Sequence, residues 1–194
     1  TFSITVNSGT TGALRGEGGF DPVTNLQFSE ADSAALGQPV TDQNFVVSPI
    51  SDLMNEFNNS SDYDTFKSKL GLDSNFMIRF DNPFESLTDA ASNKAAVVNT
   101  QILILYYLLE GIHTFANDDA KNKIASAIYN RTGSETSLGD TTFIKDILTN
   151  LDSDFSPTSD QLVSLSAGIS AYMQKINANS SNSHSHFAKA GVSE

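Results

Sequence analysis

The spacing at which apolar residues recur along this chain changes after the first quarter of the sequence. Before that point, short runs alternate apolar and polar residues, which is typical of half-buried strands. We predict strands at Phe2–Val6, Leu26–Phe28 and Asn44–Val47, with a flexible glycine-rich stretch at Gly12–Gly19, and the pattern of Ala31–Gln38 is ambiguous. After that point, apolar residues recur every three or four positions, which is typical of amphipathic helices.

The helical part is divided by local start and stop signals. Ser48 can cap a helix, and Pro49 suits a first helical position because its missing N–H would be unpaired there. Gly71 is placed to end a helix. The predicted helices are Pro49–Asn58, Asp62–Leu70, a segment from Pro83, Ala90 to about Phe115, Asp118 to about Gly133, a segment capped by Asp140 or Thr141 that ends before Pro157, and Ser159–Ala178.

One predicted helix has no polar face. Ala95–Leu109 carries no charge, and Ile102–Leu109 is apolar on every side. Such a helix is buried by neighbours all round, so its Asn99, Thr100 and Gln101 need hydrogen-bond partners inside the protein. The predicted fold class is therefore mainly α: a helical bundle around one buried central helix, with a small N-terminal β-rich segment.

We predict three regions: a β-rich head at 1–47, the helical bundle at 48–178 and a polar flexible tail or linker at 179–194. The tail is rich in Ser and Asn, as mobile segments often are. Because the chain begins with Thr and shows no signal-peptide pattern, we expect a processed product or a piece of a longer protein. Its longest apolar run, Ile102–Leu109, is far shorter than the ~20 residues that span a bilayer, so we expect no membrane insertion.

The negative charge is concentrated in the first third of the chain. The net charge is −12, and residues 1–66 contain nine acidic residues and one basic residue. Such a surface repels nucleic acid, so we expect no nucleic-acid partner. It could attract Ca²⁺, which prefers oxygen ligands, although a solvated acidic surface is the simpler interpretation. The carboxylates that could converge on one ion are Glu17, Asp21, Glu30, Asp32 and Asp42.

The sequence shows no catalytic signature. It has no cysteine, which excludes disulfides, thiolate metal sites and cysteine nucleophiles. It also lacks the Gly-x-Ser-x-Gly motif of serine hydrolases. Of its three histidines, His113 near the end of the central helix is interpreted as structural, and His184 and His186 lie in the tail, where two imidazoles would hold a metal only weakly. We expect that the protein is not an enzyme.

Several motifs occur in a suggestive order. They are Gly19-Phe20-Asp21-Pro22-Val23-Thr24, Val47-Ser48-Pro49-Ile50-Ser51-Asp52-Leu53, Leu70-Gly71-Leu72, Phe80-Asp81-Asn82-Pro83 and Asn99-Thr100-Gln101-Ile102-Leu103. Over residues 16–110 this order resembles a helical module of large secreted bacterial surface proteins, including calcium-dependent adhesins, RTX-type proteins and cadherin-like multidomain chains. The chain departs from the module's Val-x-Pro-Leu-Thr-Thr-Leu pattern, because Ile50-Ser51-Asp52 replaces Leu-Thr-Thr.

The resemblance implies an extracellular structural or adhesive protein at the bacterial cell surface, and it carries over no catalytic residue. We expect a surface-adhesin module or the subunit of a self-assembling fibre. The strand Phe2–Val6 would then add to the sheet edge of a second copy or of a neighbouring module, since an edge pairs with any extended segment. The alternative is a soluble Ca²⁺-dependent ligand-binding module that uses the acidic head. An enzyme would require a pocket that gathers His113 with acidic residues.

Overall fold

The computed structural model describes residues 12–16, 32–36, 46–55, 63–78, 80–81, 90–112, 117–131, 137–150 and 155–179. Over these residues the protein is mainly α-helical, which confirms the predicted class. None of the helices described is both long enough and apolar enough to cross a membrane. The helices of this part are α1 (Pro49–Asn55), α2 (Tyr63–Lys69), α3 (Ala90–Ile112), α4 (Asn117–Asn130), α5 (Thr141–Thr149) and α6 (Ser159–Asn179).

Two short strands precede the helices. β1 (Gly12–Gly16) pairs antiparallel with β2 (Asp32–Leu36), so that Gly12 lies opposite Leu36. β2 also lies against α1. The sequence pattern had instead predicted a flexible stretch where β1 lies, and it was ambiguous where β2 lies. Each strand contains a single large apolar residue, so neither shows the alternation on which strand prediction depends.

The strands predicted from alternation have a different outcome. Phe2–Val6 and Leu26–Phe28 lie outside the described residues. Of the predicted strand Asn44–Val47, the described residues are Val46 and Val47, and neither belongs to a strand. β-Branched residues favour extended backbone, but a strand also needs a hydrogen-bonded neighbour. Both valines are half-buried and lead directly into α1.

Helix α1 begins at reciprocal hydrogen bonds between two serines. The Ser51 N–H donates to the Ser48 hydroxyl at 3.2 Å, and the Ser48 N–H donates to the Ser51 hydroxyl at 2.8 Å. This is a capping box in which serine replaces the usual Glu or Gln. Pro49 occupies the first helical position, as predicted. Asn99 of α3 adds a further cap, because its Oδ1 accepts from the Ile50 N–H at 3.2 Å.

Helix α2 ends at Lys69, and Gly71 stops it two residues later, as predicted. This glycine has a φ of 63°, which lies in the left-handed region. Its N–H donates to the Ser68 carbonyl at 3.1 Å, and the Leu72 N–H donates to the Lys67 carbonyl at 2.9 Å. These two bonds define a Schellman motif. Leu72 and Phe66 on its two sides both belong to the apolar core.

Helix α3 lies at the centre of the core and packs against α1, α4 and α6. Its side chains are buried from Ala95 to Tyr106, and Leu109 is also buried. Tyr107 and Leu108 are only half-buried. The prediction that Ile102–Leu109 is enclosed on every side is therefore wrong at these two residues, because α6 covers this part of α3 incompletely.

Of the three buried polar residues of α3, Asn99, Thr100 and Gln101, two have hydrogen-bond partners on neighbouring helices. Asn99 bonds to α1, as described above, and the Gln101 Nε2 donates to the Met173 carbonyl of α6 at 3.1 Å. The Thr100 hydroxyl is buried and has no hydrogen-bond partner among the described residues. The polar side chains of this apolar helix thus join it to helices on two sides.

The turn before α5 is fixed to both α5 and α6. Asp140 caps α5, because its Oδ1 accepts from the Phe143 N–H at 2.8 Å. The Ser170 hydroxyl of α6 donates to the Gly139 carbonyl at 2.6 Å. A Cβ at Gly139 would lie only 3.3 Å from the Cβ of Met173, so the absent side chain permits this close approach to α6.

Two further predictions fall outside the described residues. They are the helix that starts at Pro83 and, beyond Asn179, the polar tail or linker. The division of the chain into regions 1–47, 48–178 and 179–194 therefore stays a prediction.

Candidate functional site

An open groove lies between α3 and α6 and is lined mainly by apolar side chains. Its volume is about 1280 Å³. Small-molecule pockets typically have roughly 300–1,000 Å³, so this groove has room for a larger occupant. One face of each helix lines it, together with the segment that precedes α6.

The floor of the groove is formed by α3. Ile104, Tyr107 and Leu108 line it, and their spacing of three and four residues places them on one face of the helix. Ile104 is buried, whereas Tyr107 and Leu108 are half-buried. The same apolar helix that forms the core therefore also forms the exposed floor of the groove.

The facing wall is formed by α6. Gln161, Ser164, Leu165, Gly168 and Tyr172 recur at helical spacing along one face. At 1.5 Å per residue they follow about 17 Å of helix. Leu165 and Tyr172 supply apolar surface, whereas Gly168 leaves a gap between them. Gly168 is exposed, and a Cβ built on it would meet no atom within 4 Å.

One end of the groove lies at the start of α6. Phe155 and Pro157 line it there, and both are half-buried. Helix α6 begins with a capping box, in which the Thr158 N–H donates to Gln161 Oε1 at 2.9 Å and the Gln161 N–H donates to Thr158 Oγ1 at 3.3 Å. Asp160 lies exposed in the first turn. Its carboxylate is the one formal charge among the described residues that line the groove.

This lining is suited to binding. Besides Asp160, its polar groups are serine and tyrosine hydroxyls and one amide, and the described lining contains no His, Lys or Arg. Apolar walls with a few polar groups hold a ligand mainly by removing apolar surface from water. The groove can therefore accommodate an apolar surface of another molecule.

A buried ion pair lies away from the groove, between α1 and α4. The Asp52 carboxylate contacts the Lys121 ammonium group, and their side chains are only 5% and 8% exposed. The Lys121 Nζ also lies 5.6 Å from the centroid of the Tyr106 ring on α3. This distance is within the range of a cation–π interaction. The pair thus connects three helices inside the core.

A second charged pair supports the N-terminus of α5. Arg131 Nη1 lies 3.2 Å from Asp140 Oδ1, the atom that also accepts from the Phe143 N–H. The Phe143 N–H and, to a lesser extent, Arg131 hold the pKa of Asp140 below its ordinary value, because both stabilise the carboxylate. Partial burial acts in the opposite direction.

The predicted calcium ligands are not brought together in the part of the chain that the structure describes. Glu17, Asp21, Glu30 and Asp42 lie outside it, and Asp32 is described only as the first backbone position of β2. Within the described residues, no group of three or more His, Cys, Asp or Glu side chains could hold a metal ion. The calcium site stays a prediction.

The three histidines, at positions 113, 184 and 186, also lie outside the described residues. The interpretation of His113 as structural therefore stays a prediction, as does the weak metal affinity of the two tail histidines.

Comparison with known proteins returned no match: no protein-family model, no curated protein and no solved structure matches the chain. The resemblance to bacterial adhesin modules therefore stays a prediction based on the order of motifs over residues 16–110.

The groove was not predicted, because Ile102–Leu109, which includes Tyr107 and Leu108, was expected to be enclosed on every side. One signal was available, because Gly168 interrupts an otherwise regular helical pattern. A glycine inside a helix costs stability and often has a packing reason.

Proposed function

We propose that this chain is a structural and adhesive module of an extracellular bacterial protein, either a surface-adhesin module or the subunit of a self-assembling fibre. It acts by holding other protein surfaces, without catalysis. The observation that carries the proposal is the apolar groove between α3 and α6. Concave sites with mainly apolar walls and a few polar groups commonly bind other molecules, because covering them removes apolar area from water.

The ionisable groups of the described residues support a structural role. Asp52 and Lys121 pair inside the core, and Asp140 caps α5. General acid–base and nucleophilic catalysis use activated groups that lie within hydrogen-bond reach of one another and of a substrate. The described lining of the groove offers Asp160 as its single carboxylate, which favours binding over chemistry.

The extracellular location is supported by the order of motifs over residues 16–110. Two surfaces are proposed to mediate assembly. The strand Phe2–Val6 would add to the sheet edge of a second copy or of a neighbouring module, and the groove would bind a partner. The strand would bind through backbone hydrogen bonds, whereas the groove would bind by burying apolar side chains.

Attachment of bacterial cells tests the proposal. The full chain is displayed on cells that do not attach by themselves, and their retention on layers of other cells and on protein-coated glass is measured under flow. Leu165→Asp places a charge among the apolar side chains of the groove, and we expect it to reduce retention about tenfold, since burying an unpaired charge against a partner is costly.

The matched control is Val163→Asp on the same helix. Val163 is 55% exposed and does not line the groove, so we expect retention to equal that of the original chain. Thermal unfolding followed by circular dichroism confirms that both variants fold. Equal retention for the Leu165 and Val163 variants, or no retention above that of cells without the display, would contradict the proposal.

A second candidate function is a soluble Ca²⁺-dependent ligand-binding module. The observation that favours it is the excess of acidic residues in residues 1–66, which include Glu17, Asp21, Glu30, Asp32 and Asp42. Calorimetry with Ca²⁺ should then show binding heat, and Ca²⁺ should raise the melting temperature relative to EDTA. If neither the binding heat nor the rise in melting temperature is seen, these carboxylates are only solvated. This function would then be excluded.

A further inference from the structure

We propose that the groove between α3 and α6 binds an amphipathic helix of a partner protein, about three turns long, with Lys or Arg near one end. This inference rests on the proposed docking function and specifies the kind of partner. Three features of the groove carry it: the nature of its walls, the space at Gly168 and the position of Asp160.

The walls favour a helical occupant. Both long walls are helices, whose backbone N–H and C=O groups are already paired along their own axes. An extended peptide in this apolar groove would leave many of its own N–H and C=O groups without partners, which is costly. A helix satisfies those groups internally and presents only side chains. Its apolar stripe, repeating every three or four residues, would cover Leu108, Leu165 and Tyr172.

Gly168 indicates a close approach by the occupant. Glycine in the middle of a helix is less stable than alanine, because it loses more conformational freedom on folding. The described part of the chain makes no use of the missing side chain, since a Cβ at this position would meet nothing within 4 Å. A partner helix that packs its side chains or backbone against α6 at this point would use the space.

The dimensions of the groove set the length of the occupant. The α6 wall runs from Gln161 to Tyr172, about 17 Å at 1.5 Å per residue. A helix rises about 5.4 Å in each turn, so about three turns, or roughly eleven residues, lie along this wall. An occupant of this length presents three or four apolar side chains to the groove.

The negative charge at the groove indicates that its occupant carries positive charge. Residues 67–194, which include the described lining, carry fourteen acidic and ten basic residues, and Asp160 is exposed at the end of the groove near the start of α6. A basic side chain near one end of the partner helix can approach this carboxylate without leaving water. A second copy of the chain is disfavoured for two reasons: it carries the same excess negative charge, and a two-fold dimer would oppose two concave surfaces.

A peptide-display selection tests the inference directly. A library of random 16-residue peptides is selected for binding to the full chain, with counter-selection against Gly168→Leu, whose added side chain fills the gap in the wall. We expect enrichment of peptides with apolar residues at positions i, i+3, i+4 and i+7 and with Lys or Arg near one end. The consensus peptide should become helical when it binds, as measured by circular dichroism.

The affinity of the consensus peptide is then measured by fluorescence anisotropy. We expect Gly168→Leu to weaken binding about tenfold or more, because overpacking displaces the occupant. The matched control, Ala167→Leu, adds a larger side chain at the neighbouring exposed position, which does not line the groove, and it should leave the affinity unchanged. Asp160→Asn should weaken binding about two- to fivefold for the basic peptide, but not for an analogue with Gln in place of its basic residue.

Several results would overturn the inference. They are the absence of enrichment, enrichment of extended or acidic peptides, and equal affinity for the variants of Gly168 and Ala167. A dimer in sedimentation that Gly168→Leu abolishes would identify a second copy as the occupant. Much tighter peptide binding by a chain shortened to residues 1–179 would identify the tail as the occupant.

The cell-attachment experiment distinguishes the two proposals. If retention depends on Leu165 but the selected peptides are not basic helices, the docking function stands and the partner assigned here is wrong. If retention does not depend on Leu165, the proposed function itself fails, whatever the selection yields.

Discussion

At the scale of single residues, two glycines of this protein occupy opposite environments. Gly71 has a φ of 63° and ends α2 in a Schellman motif. Gly168 lies in the middle of α6, exposed, with open space where a side chain would begin. The first position needs glycine for its backbone conformation, whereas folding alone does not require glycine at the second.

The same substitution should therefore have opposite effects at the two positions. We expect Gly71→Ala to lower the free energy of unfolding by about 1 kcal/mol, the cost of a left-handed conformation for an L-residue. We expect Gly168→Ala to raise it by roughly 0.5–1 kcal/mol, the helix preference of alanine over glycine. Urea unfolding measures both. A destabilising Gly168→Ala would mean that the gap serves the fold itself, which would weaken the docking argument.

Asp140 makes a pH-dependent contribution to stability. Its pKa in the folded protein is held below the ordinary value of 3.8 by the Phe143 N–H and Arg131. The resulting stabilisation is fully present above pH 3.8 and is lost as the pH falls through the lowered folded pKa. Because the carboxylate is partly exposed, we expect the charge to contribute less than about 1 kcal/mol.

Urea unfolding over a range of pH tests this expectation with two variants. Asp140→Asn keeps the helix cap but removes the charge, so its difference from the original chain should be small at pH 7 and should disappear in acid. Asp140→Ala also removes the cap and should cost about 1 kcal/mol at pH 7. A difference between Asp140→Asn and the original chain that does not change with pH would contradict the role assigned to the charge.

At the scale of elements, the ends of the helices were predictable because their signals are local. The Ser48–Pro49 start, the Gly71 stop and the Asp140 cap each depend on residues within one turn of the helix terminus. The two described strands were not predictable, because Gly12–Gly16 and Asp32–Leu36 become strands through their hydrogen bonds to each other. The alternation of apolar and polar residues cannot predict a strand pairing that depends on backbone hydrogen bonds.

Helices α1 and α4 meet at a buried ion pair. The effect of removing this pair on the free energy of unfolding can be predicted. Lys121→Met removes the cation that contacts the buried Asp52 carboxylate, so we expect the free energy of unfolding to fall by about 3–5 kcal/mol. Adding Asp52→Leu should recover most of this loss, because two apolar side chains avoid the cost of removing charges from water.

The control for this pair lies on the same helix. Lys123 is half-buried, and we expect Lys123→Met to change the free energy of unfolding by less than about 0.5 kcal/mol. Urea unfolding of the original chain, Lys121→Met, Asp52→Leu and their combination forms a double-mutant cycle, and Lys123→Met is its control. A Lys121→Met chain as stable as the Lys123→Met chain would show that the ion pair does not hold α1 and α4 together.

At the scale of the whole molecule, the core was predictable and the groove was not. Fifteen residues without charge, Ala95–Leu109, indicate a buried helix, and most of them are buried. In a sequence, however, Tyr107 and Leu108 look the same whether the chain's own helices or a partner covers them. The burial of an apolar residue within the chain depends on how far neighbouring helices extend, which is set by packing between distant segments.

Phe2–Val6, which is predicted to be a strand and lies outside the described residues, is the proposed site of assembly between copies. If this strand adds to the sheet edge of a neighbouring copy, its backbone N–H groups form the bonds that hold the copies together. Electron microscopy and sedimentation of the full chain should then show fibres or oligomers, and deleting residues 1–8 should abolish them. Ile4→Pro should have the same effect, since proline removes a donor from the ladder, whereas Thr5→Val preserves the backbone and should not. Assembly that survives both the deletion and Ile4→Pro would show that copies associate through another surface, and sedimentation of Gly168→Leu would then show whether that surface is the groove.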